Sequence, residues 1–363
     1  MPTRPRFAAL AAILGRLGLI GGAALALVAS TEAGDRSDGT CPAGETCAPE
    51  TPDGLLFEGA PLGTWPALTA HTIAAGGRQT FRITYPGSDR APFDLPFTAD
   101  ATGAGHAIVG TGPDRVSVSA TGASTGHLRI LDDAGQLYDR LSIESAHVTT
   151  MRAAPAYGTA YPHFDPPRWA AFAGGEATVS IVLADGRGEQ VVDEGLAVRS
   201  PVPAVRTSWD SFTLTTPTAG IVALAVDAGD VRDREVRVPV VDVFDEIVVS
   251  APQESGVGGD VRVCFVPWLR GGQAGSDDDT LVVGVPRQYR VRGAATPLAV
   301  QPYAACLELH TDAGGPLEVE AVIGGRSWFA TIDVRGSGAR EAAGFAQWLA
   351  APSEGERAAL VAE

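Results

Sequence analysis

The chain has no lysine and no asparagine, and all 27 of its basic residues are arginine. Gaps of that kind reflect the base composition of a coding sequence, and they weaken any argument from residue propensity. Aromatic residues are scarce at 7%, against 44 glycines and 26 prolines, which argues against a bundle of long helices and for strands joined by turns. Charged residues are also few, at 19% beside 45% hydrophobic ones, and this balance excludes a disordered chain. Basic residues are outnumbered by 43 acids, for a net charge of −16. A surface of that sign repels phosphate backbones, so nucleic acid is excluded as a partner. At 363 residues the chain is long enough for about two to four domains.

The chemistry-bearing patterns are incomplete as well. His71, His106, His127, His147, His163 and His310 include no i, i+4 pair and no H-E-x-x-H, so zinc hydrolysis has no support. Gly122-Ala-Ser124-Thr-Gly126 matches the G-x-S-x-G of hydrolase elbows. That elbow needs a helix after it, whereas His127–Leu131 reads as another strand. Asp277-Asp278-Asp279 sits in a Gly and Ser loop without the alternating ladder that calcium loops use. No catalytic residue, metal or cofactor is expected.

The N-terminus carries a clear signal. Arg4 and Arg6 precede the apolar run Leu17–Ala29, and small residues follow at Ala29, Ser30 and Ala33, the layout of a secretory signal peptide ending between Ala29 and Gly34. The alternative, an anchor over Phe7–Ala29, would place Arg16 at mid-membrane. No other run reaches spanning length. Without residues 1–30 the balance is 24 arginines to 43 acids, or −19. Cys41 lacks the small and apolar residues that precede a lipid-modified cysteine. Four cysteines in an exported chain read as two disulfides, and Cys41 and Cys47 close a small loop within a polar stretch, 34–54, that otherwise looks like a flexible spacer.

An internal repeat is the strongest signal. Gly76-Gly77, Gly174-Gly175 and Gly258-Gly259 each lead into a strand with apolar residues four and six positions after the second Gly: Phe81 and Ile83, Val179 and Ile181, Val263 and Phe265. Asp-Ala-Gly recurs at Asp133, Asp227 and Asp312, which stand 56, 52 and 53 residues after the second Gly. Period-2 strands such as Arg115–Ala120 fill the intervals, so antiparallel sheets must bury one face against each other. The Asp-Ala-Gly turn fits a tight hairpin.

These residues resemble bacterial immunoglobulin-like and fibronectin-type modules, from about Leu55 to Val334. The resemblance implies three tandem all-β sandwiches at 55–150, 155–250 and 251–335, after the signal (1–33) and spacer (34–54). It also implies that Cys264 and Cys306 lie on strands such a module joins across its two sheets, and so pair. Strict alternation conflicts with that, because both cysteines are out of phase with Val263, Phe265, Leu307 and Leu309; a bulge in each strand would restore it. Residues 336–363 read as a short helical tail, with Ala342, Phe345, Ala346 and Leu349 on one face. Such families are found in surface, adhesive and spacer proteins, so the expected function is non-catalytic and extracytoplasmic: periplasmic, cell-surface or extracellular. The alternative is an accessory protein or hydrolase whose site is assembled between modules. A protein or glycan partner, neutral or cationic in view of the charge, is expected at loops or junctions. Tyr157, Tyr161 and Phe164, in an aromatic and proline-rich segment read as joining the first two modules, are the first candidates for binding.

Overall fold

The computed structural model describes residues 41, 43–48, 54–60, 72–86, 91–156, 168–271, 279–299, 304–336 and 346–349. These are all strand, turn and loop, with no helix among them. The signal segment 1–33 lies outside the described residues, as do Tyr157, Tyr161 and Phe164. Two compact units are formed, one of Met1–Ala60, Ala67–Thr72 and Gln79–Ser145, the other of Pro61–Pro66, Ile73–Arg78 and Ala146–Glu363.

Eight strands come first: β1 (Leu56–Ala60), β2 (Thr72–Ala74), β3 (Arg78–Thr84), β4 (Thr98–Thr102), β5 (His106–Thr111), β6 (Arg115–Ala120), β7 (Ser124–Leu131) and β8 (Leu137–Ala146). They make two four-stranded sheets, ordered β1-β3-β6-β5 and β2-β8-β7-β4. Alternate residues are buried as the period predicts: Phe81 and Ile83 on β3, Val116 and Val118 on β6, Leu128 and Ile130 on β7, each at 0% exposure. Burial of each such side chain contributes about 1.5–3 kcal/mol. Phe93 stacks edge-on against Tyr138 of β8 at 5.2 Å and tilts against Tyr85 at 5.3 Å.

Part of the presumed spacer is tied down. Cys41 and Cys47 pair, Ala48 N–H donates to the Leu137 carbonyl and Leu137 N–H to that of Thr46, and Glu45 pairs with Arg129 at 3.1 Å. The disulfide holds a short loop in the extended form that the first residue of β8 accepts.

The second unit begins with β9 (Thr150–Pro155), β10 (Trp169–Phe172), β11 (Gly175–Ala184), β12 (Gln190–Val191), β13 (Ala197–Arg199), β14 (Ala204–Arg206), β15 (Ser211–Thr216), β16 (Gly220–Ala228) and β17 (Val231–Val241). It continues with β18 (Glu246–Ser250), β19 (Glu254–Gly256), β20 (Asp260–Leu269), β21 (Thr280–Val283), β22 (Arg287–Arg292), β23 (Ala295–Ala299), β24 (Cys306–Thr311), β25 (Gly315–Ile323), β26 (Arg326–Arg335) and β27 (Ala346–Leu349). A five-stranded sheet, β12-β11-β15-β14 with β9 also on β11, faces one end of a nine-stranded sheet, β13-β16-β17-β10-β21-β20-β24-β23 with β18 on β20; a further five-stranded sheet is ordered β19-β26-β25-β22-β27. Two cores result. One centres on Val179, Ile181, Leu214, Leu224 and Val238, the other on Phe265, Tyr289, Leu309, Val319 and Ile332.

The three Gly-Gly pairs hold the same place. Each carries the chain from a short strand of one sheet (β2, β10, β19) into a long strand of another (β3, β11, β20). In two of them a fully buried threonine closes the corner: the Thr216 hydroxyl lies 2.5 and 3.2 Å from the carbonyls of Phe172 and Gly175, and that of Thr311 lies 2.7 and 2.8 Å from those of Gly256 and Gly259. The paired carbonyls stand at the second Gly and three residues before it in both copies.

Several expectations need correction. The sheets are not purely antiparallel, since β10 runs parallel to both β17 and β21, and β19 runs parallel to β26. Asp133 and Asp227 begin hairpin turns, β7–β8 and β16–β17, but Asp312 stands between β24 and β25, which lie in different sheets. The third hairpin, β25–β26, turns instead at Gly324-Gly325, both with positive φ (58° and 72°), as a two-residue turn of this hand demands. The aromatic segment does not join the two units, because β9 before it and β10 after it both belong to the second. Within the tail, Ala346–Leu349 is a strand antiparallel to β22 rather than helix. An open sheet edge supplies hydrogen-bond partners that an isolated short helix lacks; the rest of 337–363 lies outside the described residues.

Candidate functional site

The most distinctive place in the second unit is the seam where its two cores meet, and it is built around β10. This strand is Trp169-Ala-Ala-Phe172, apolar at every position, as a strand buried on both faces requires. Ala171 stands opposite Val240 on one side and Val283 on the other. One face of β10 therefore turns Ala171 into the first core with Leu281 and Val283, while Phe172 packs on the second core with Val282. The backbones are pressed together at the corner: a Cβ on Gly175 would come within 2.0 Å of the Gly284 carbonyl, and one on Gly284 within 2.6 Å of that of Glu176.

Beside β10 the seam is closed covalently. Cys264 and Cys306 pair, as expected, but directly across neighbouring strands: they are in register on β20 and β24 of one sheet, Cα to Cα 3.9 Å. The bond does not join two sheets, and neither strand is bulged there. Strict alternation holds throughout. Val263, Phe265, Leu307 and Leu309 face the second core, while Cys264 and Cys306 face the first, where Val266 and Trp268 also pack. The face read as outward is an inner face of a different core. Along it the same two strands carry an Arg262–Glu308 ion pair and a hydrogen bond between His310 Nδ1 and Asp260 at 2.8 Å, so the disulfide is the buried end of a ladder whose other rungs are polar.

At the seam's rim Arg270 gathers three acids. Its guanidinium holds Glu246 at 2.8 Å and pairs with Asp279, its N–H donates to Asp245, and it lies over the Trp268 ring at 6.0 Å. Burial opposes the arginine's charge, but the bonds to Glu246 and Asp279 outweigh it, so its affinity for the proton is raised. Asp279, only 5% exposed, is thereby engaged; Asp277 and Asp278 lie outside the described residues. Among the described residues no three His, Cys, Asp or Glu side chains converge as a metal site.

Ser124 starts strand β7 rather than heading a helix. Its hydroxyl lies 3.5 Å from His106 Nδ1 and 3.2 Å from the Ser145 hydroxyl, which donates to the Gly122 carbonyl. Burial lowers the His106 pKa, keeping the ring neutral, and its Nε2 has no partner. Nucleophilic catalysis requires a third group to orient the base, and among the described residues none does so. This cluster closes a loop.

Three side chains that sequence reasoning missed do the most local work. Asp193, 4% exposed, accepts from the backbone N–H of Arg78, Gly195 and Gly229, so its one carboxylate holds the segment carrying the first Gly-Gly pair against the second Asp-Ala-Gly turn. Thr216 and Thr311 close the other two corners as described. The only signal for the threonines is position, opposite the second Gly on the paired strand, which becomes visible once strand pairing is known.

No family model matches the chain, and no curated protein matches it. Among solved structures it is similar to FdeC, an adhesin of Escherichia coli, at 15% identity over 76% of this chain and 100% of that one, with a TM-score of 0.21. It is similar to invasin, described as a bacterial integrin-binding protein, at 13% identity over 73% of this chain and 58% of that one, TM-score 0.21. Domains 5–6 of the S-layer protein SbsC match at 14% identity over 52% of this chain and all of theirs, TM-score 0.23.

Proposed function

We propose that the chain is an exported, non-catalytic surface protein of adhesive or spacer type, built from three immunoglobulin-like sandwiches at about 55–150, 155–250 and 251–335. The observation that carries this reading is the seam. A sheet of nine strands is shared by two cores, crossed by β10 and closed by Cys264–Cys306, so two sandwiches are joined through strands rather than through a linker. Two closed disulfides suit an oxidising compartment, in keeping with the signal at 1–33. The residues that sequence offers for chemistry, Ser124 and Asp279, are engaged in closing loops.

Binding in this reading is the work of loops, which sandwiches leave free to vary. Tyr157, Tyr161 and Phe164 remain the first residues to test, between β9 on one sheet and β10 at the seam. The experiment is cell fractionation with non-reducing mass analysis of the mature protein, followed by a binding screen of residues 34–363 against envelope fractions and glycans. The expected result is an envelope or extracellular protein with all four cysteines paired, whose binding is lost on Tyr157→Ala, Tyr161→Ala and Phe164→Ala together. A cytoplasmic protein with free thiols would overturn the compartment. Hydrolysis of any envelope polymer would overturn the non-catalytic reading.

A further inference from the structure

The sheet edges of this protein are not protected alike. Edge β5 carries a bulge at Val109, which is 56% exposed. Edge β23 carries Pro297 and a second bulge at Leu298, 53% exposed. Edge β14 is three residues long and follows Pro201 and Pro203. Short length, bulges and prolines are the devices that stop edge strands from pairing with another chain. Two of the exposed large apolar residues are thus accounted for as bulge positions.

β22 has none of these devices. Its six residues contain no proline, and they pair with β25 in unbroken register, Arg287 to Ile323 through Arg292 to Glu318. Its inward residues Arg287, Tyr289 and Val291 are buried at 3%, 0% and 4%, so the strand is flat and firmly held. What covers its outer edge is the chain's own Ala346–Leu349, antiparallel, with Tyr289 opposite Leu349 and Arg292 opposite Ala346. The sheet order places β27 three strand spacings from β26, about 14 Å at ~4.8 Å each. Ten residues, 336–345, connect them, a length that reaches roughly 33 Å when extended. The register also sets Ala346 level with Thr331, four residues or ~13 Å back from Arg335, so the span to be crossed is about 19 Å; the connection begins Gly336-Ser337-Gly338 and is longer than its own sheet requires.

We propose that the outer edge of β22 is a strand-addition site for a second copy of this chain: Ala346–Leu349 of one copy seats on β22 of the next, in the register it keeps on its own sheet. The donor's β22 is then left open to receive the tail of a third copy, which builds a row, or that of its own acceptor, which closes a pair. Within one chain the segment competes at an effective concentration on the order of millimolar, so exchange belongs to copies held at comparable density. The inference stands whether or not the surface reading is correct.

The test uses two full-length chains, one Arg290→Cys and the other Trp348→Cys, positions that face each other across β22 and β27. Mixed at millimolar concentration and oxidised, they are expected to form a cross-link between chains joining positions 290 and 348. Its yield should fall at least tenfold when the Trp348→Cys chain also carries Gln347→Pro, because proline cannot donate to a ladder. A chain carrying both cysteines should cross-link within itself when dilute. In a second measurement, a chain ending at Gly344 should capture a peptide of residues 339–363 and not its Gln347→Pro form. Cross-linking that ignores the proline overturns the proposal. So does a double-cysteine chain that closes on itself but never on a neighbour, or one that closes on neither.

Discussion

In the first unit two four-stranded sheets close on one another, whereas in the second a nine-stranded sheet serves two cores. The same corner, a Gly-Gly pair between a short strand and a long one, opens all three repeats. The difference lies in what stands on the far side of the short strand. β10 has β21 there in parallel register, and its run of Trp, Ala, Ala and Phe lets one strand be buried on both faces. A repeat becomes part of a larger body when its outer face is as apolar as its inner one. Tryptophan fluorescence reports mainly on the second unit, because Trp169, Trp209, Trp268, Trp328 and Trp348, the tryptophans among the described residues, all belong to it, while Trp65 lies outside the described residues.

The change expected to break the seam most strongly is Gly175→Ala. Its Cβ would lie 2.0 Å from the Gly284 carbonyl, a backbone collision that neither strand can relieve without parting. The expected cost is about 5 kcal/mol, beyond the ~1–3 kcal/mol typical of overpacking, because both sides of the collision are backbone. Gly188→Ala is the control, because Gly188 has φ +82° but open space around its Cβ, and about 1 kcal/mol is expected from conformation alone. Urea midpoints followed by tryptophan emission should separate the two. Equal losses would mean the corner is not closely packed.

Next in size is the disulfide pair. Cys264→Ala with Cys306→Ala opens a loop of 42 residues, and Cys41→Ala with Cys47→Ala one of 6. On the chain-entropy argument these cost about 4 and about 2 kcal/mol. The first should move the tryptophan-detected transition and the second should leave it in place. A smaller effect is expected at the corners: Thr216→Val and Thr311→Val each leave two carbonyls facing a methyl group, for about 1–3 kcal/mol apiece. Similar values at the two sites would support their equivalence, and a negligible value at either would refute it.

Much of this architecture was legible before any coordinates. The Gly-Gly corners, the buried residues four and six positions on, and the Cys41–Cys47 pair follow from pattern, while the Cys264–Cys306 pair comes from the family resemblance. What was hidden is the seam, and the reason is specific. Alternation assigns each strand one buried face, so Cys264 and Cys306 seemed to point at water and to need bulges. The run Val263-Cys-Phe-Val-Pro-Trp268 is apolar without a break, and unbroken runs mark strands covered on both faces. Read that way, the disulfide needs no bulge. The third Asp-Ala-Gly misled for another reason: a turn motif says the chain bends, not which sheet receives it. Asp193 was invisible because two of its three amide partners are distant in sequence, at 78 and 229.

The smallest effect concerns charge, and it separates the second Asp-Ala-Gly hairpin from the first. In the β7–β8 turn Asp132 accepts from the backbone of Ala134 and Gln136. In the β16–β17 turn Asp227 is bound instead by Arg199, at 2.7 Å, and by the N–H of Asp233, which sits at φ 53°. The Arg199 hydrogen bond, then that amide, hold the Asp227 carboxyl at about 2. Between there and the ordinary aspartate value near 3.8, an unfolded chain binds a proton that the folded chain refuses. Stability therefore rises with pH across that window. The contribution is fully present above the ordinary value and is lost as pH falls through about 2. Asp227→Asn should be less stable than the parent at pH 6, and the gap should close as the solution is taken towards pH 2. Because the group is close to solvent, 1 M salt should narrow the gap at pH 6 as well. A gap that stays constant from pH 6 to pH 2 would show that the hairpin is held by its backbone alone.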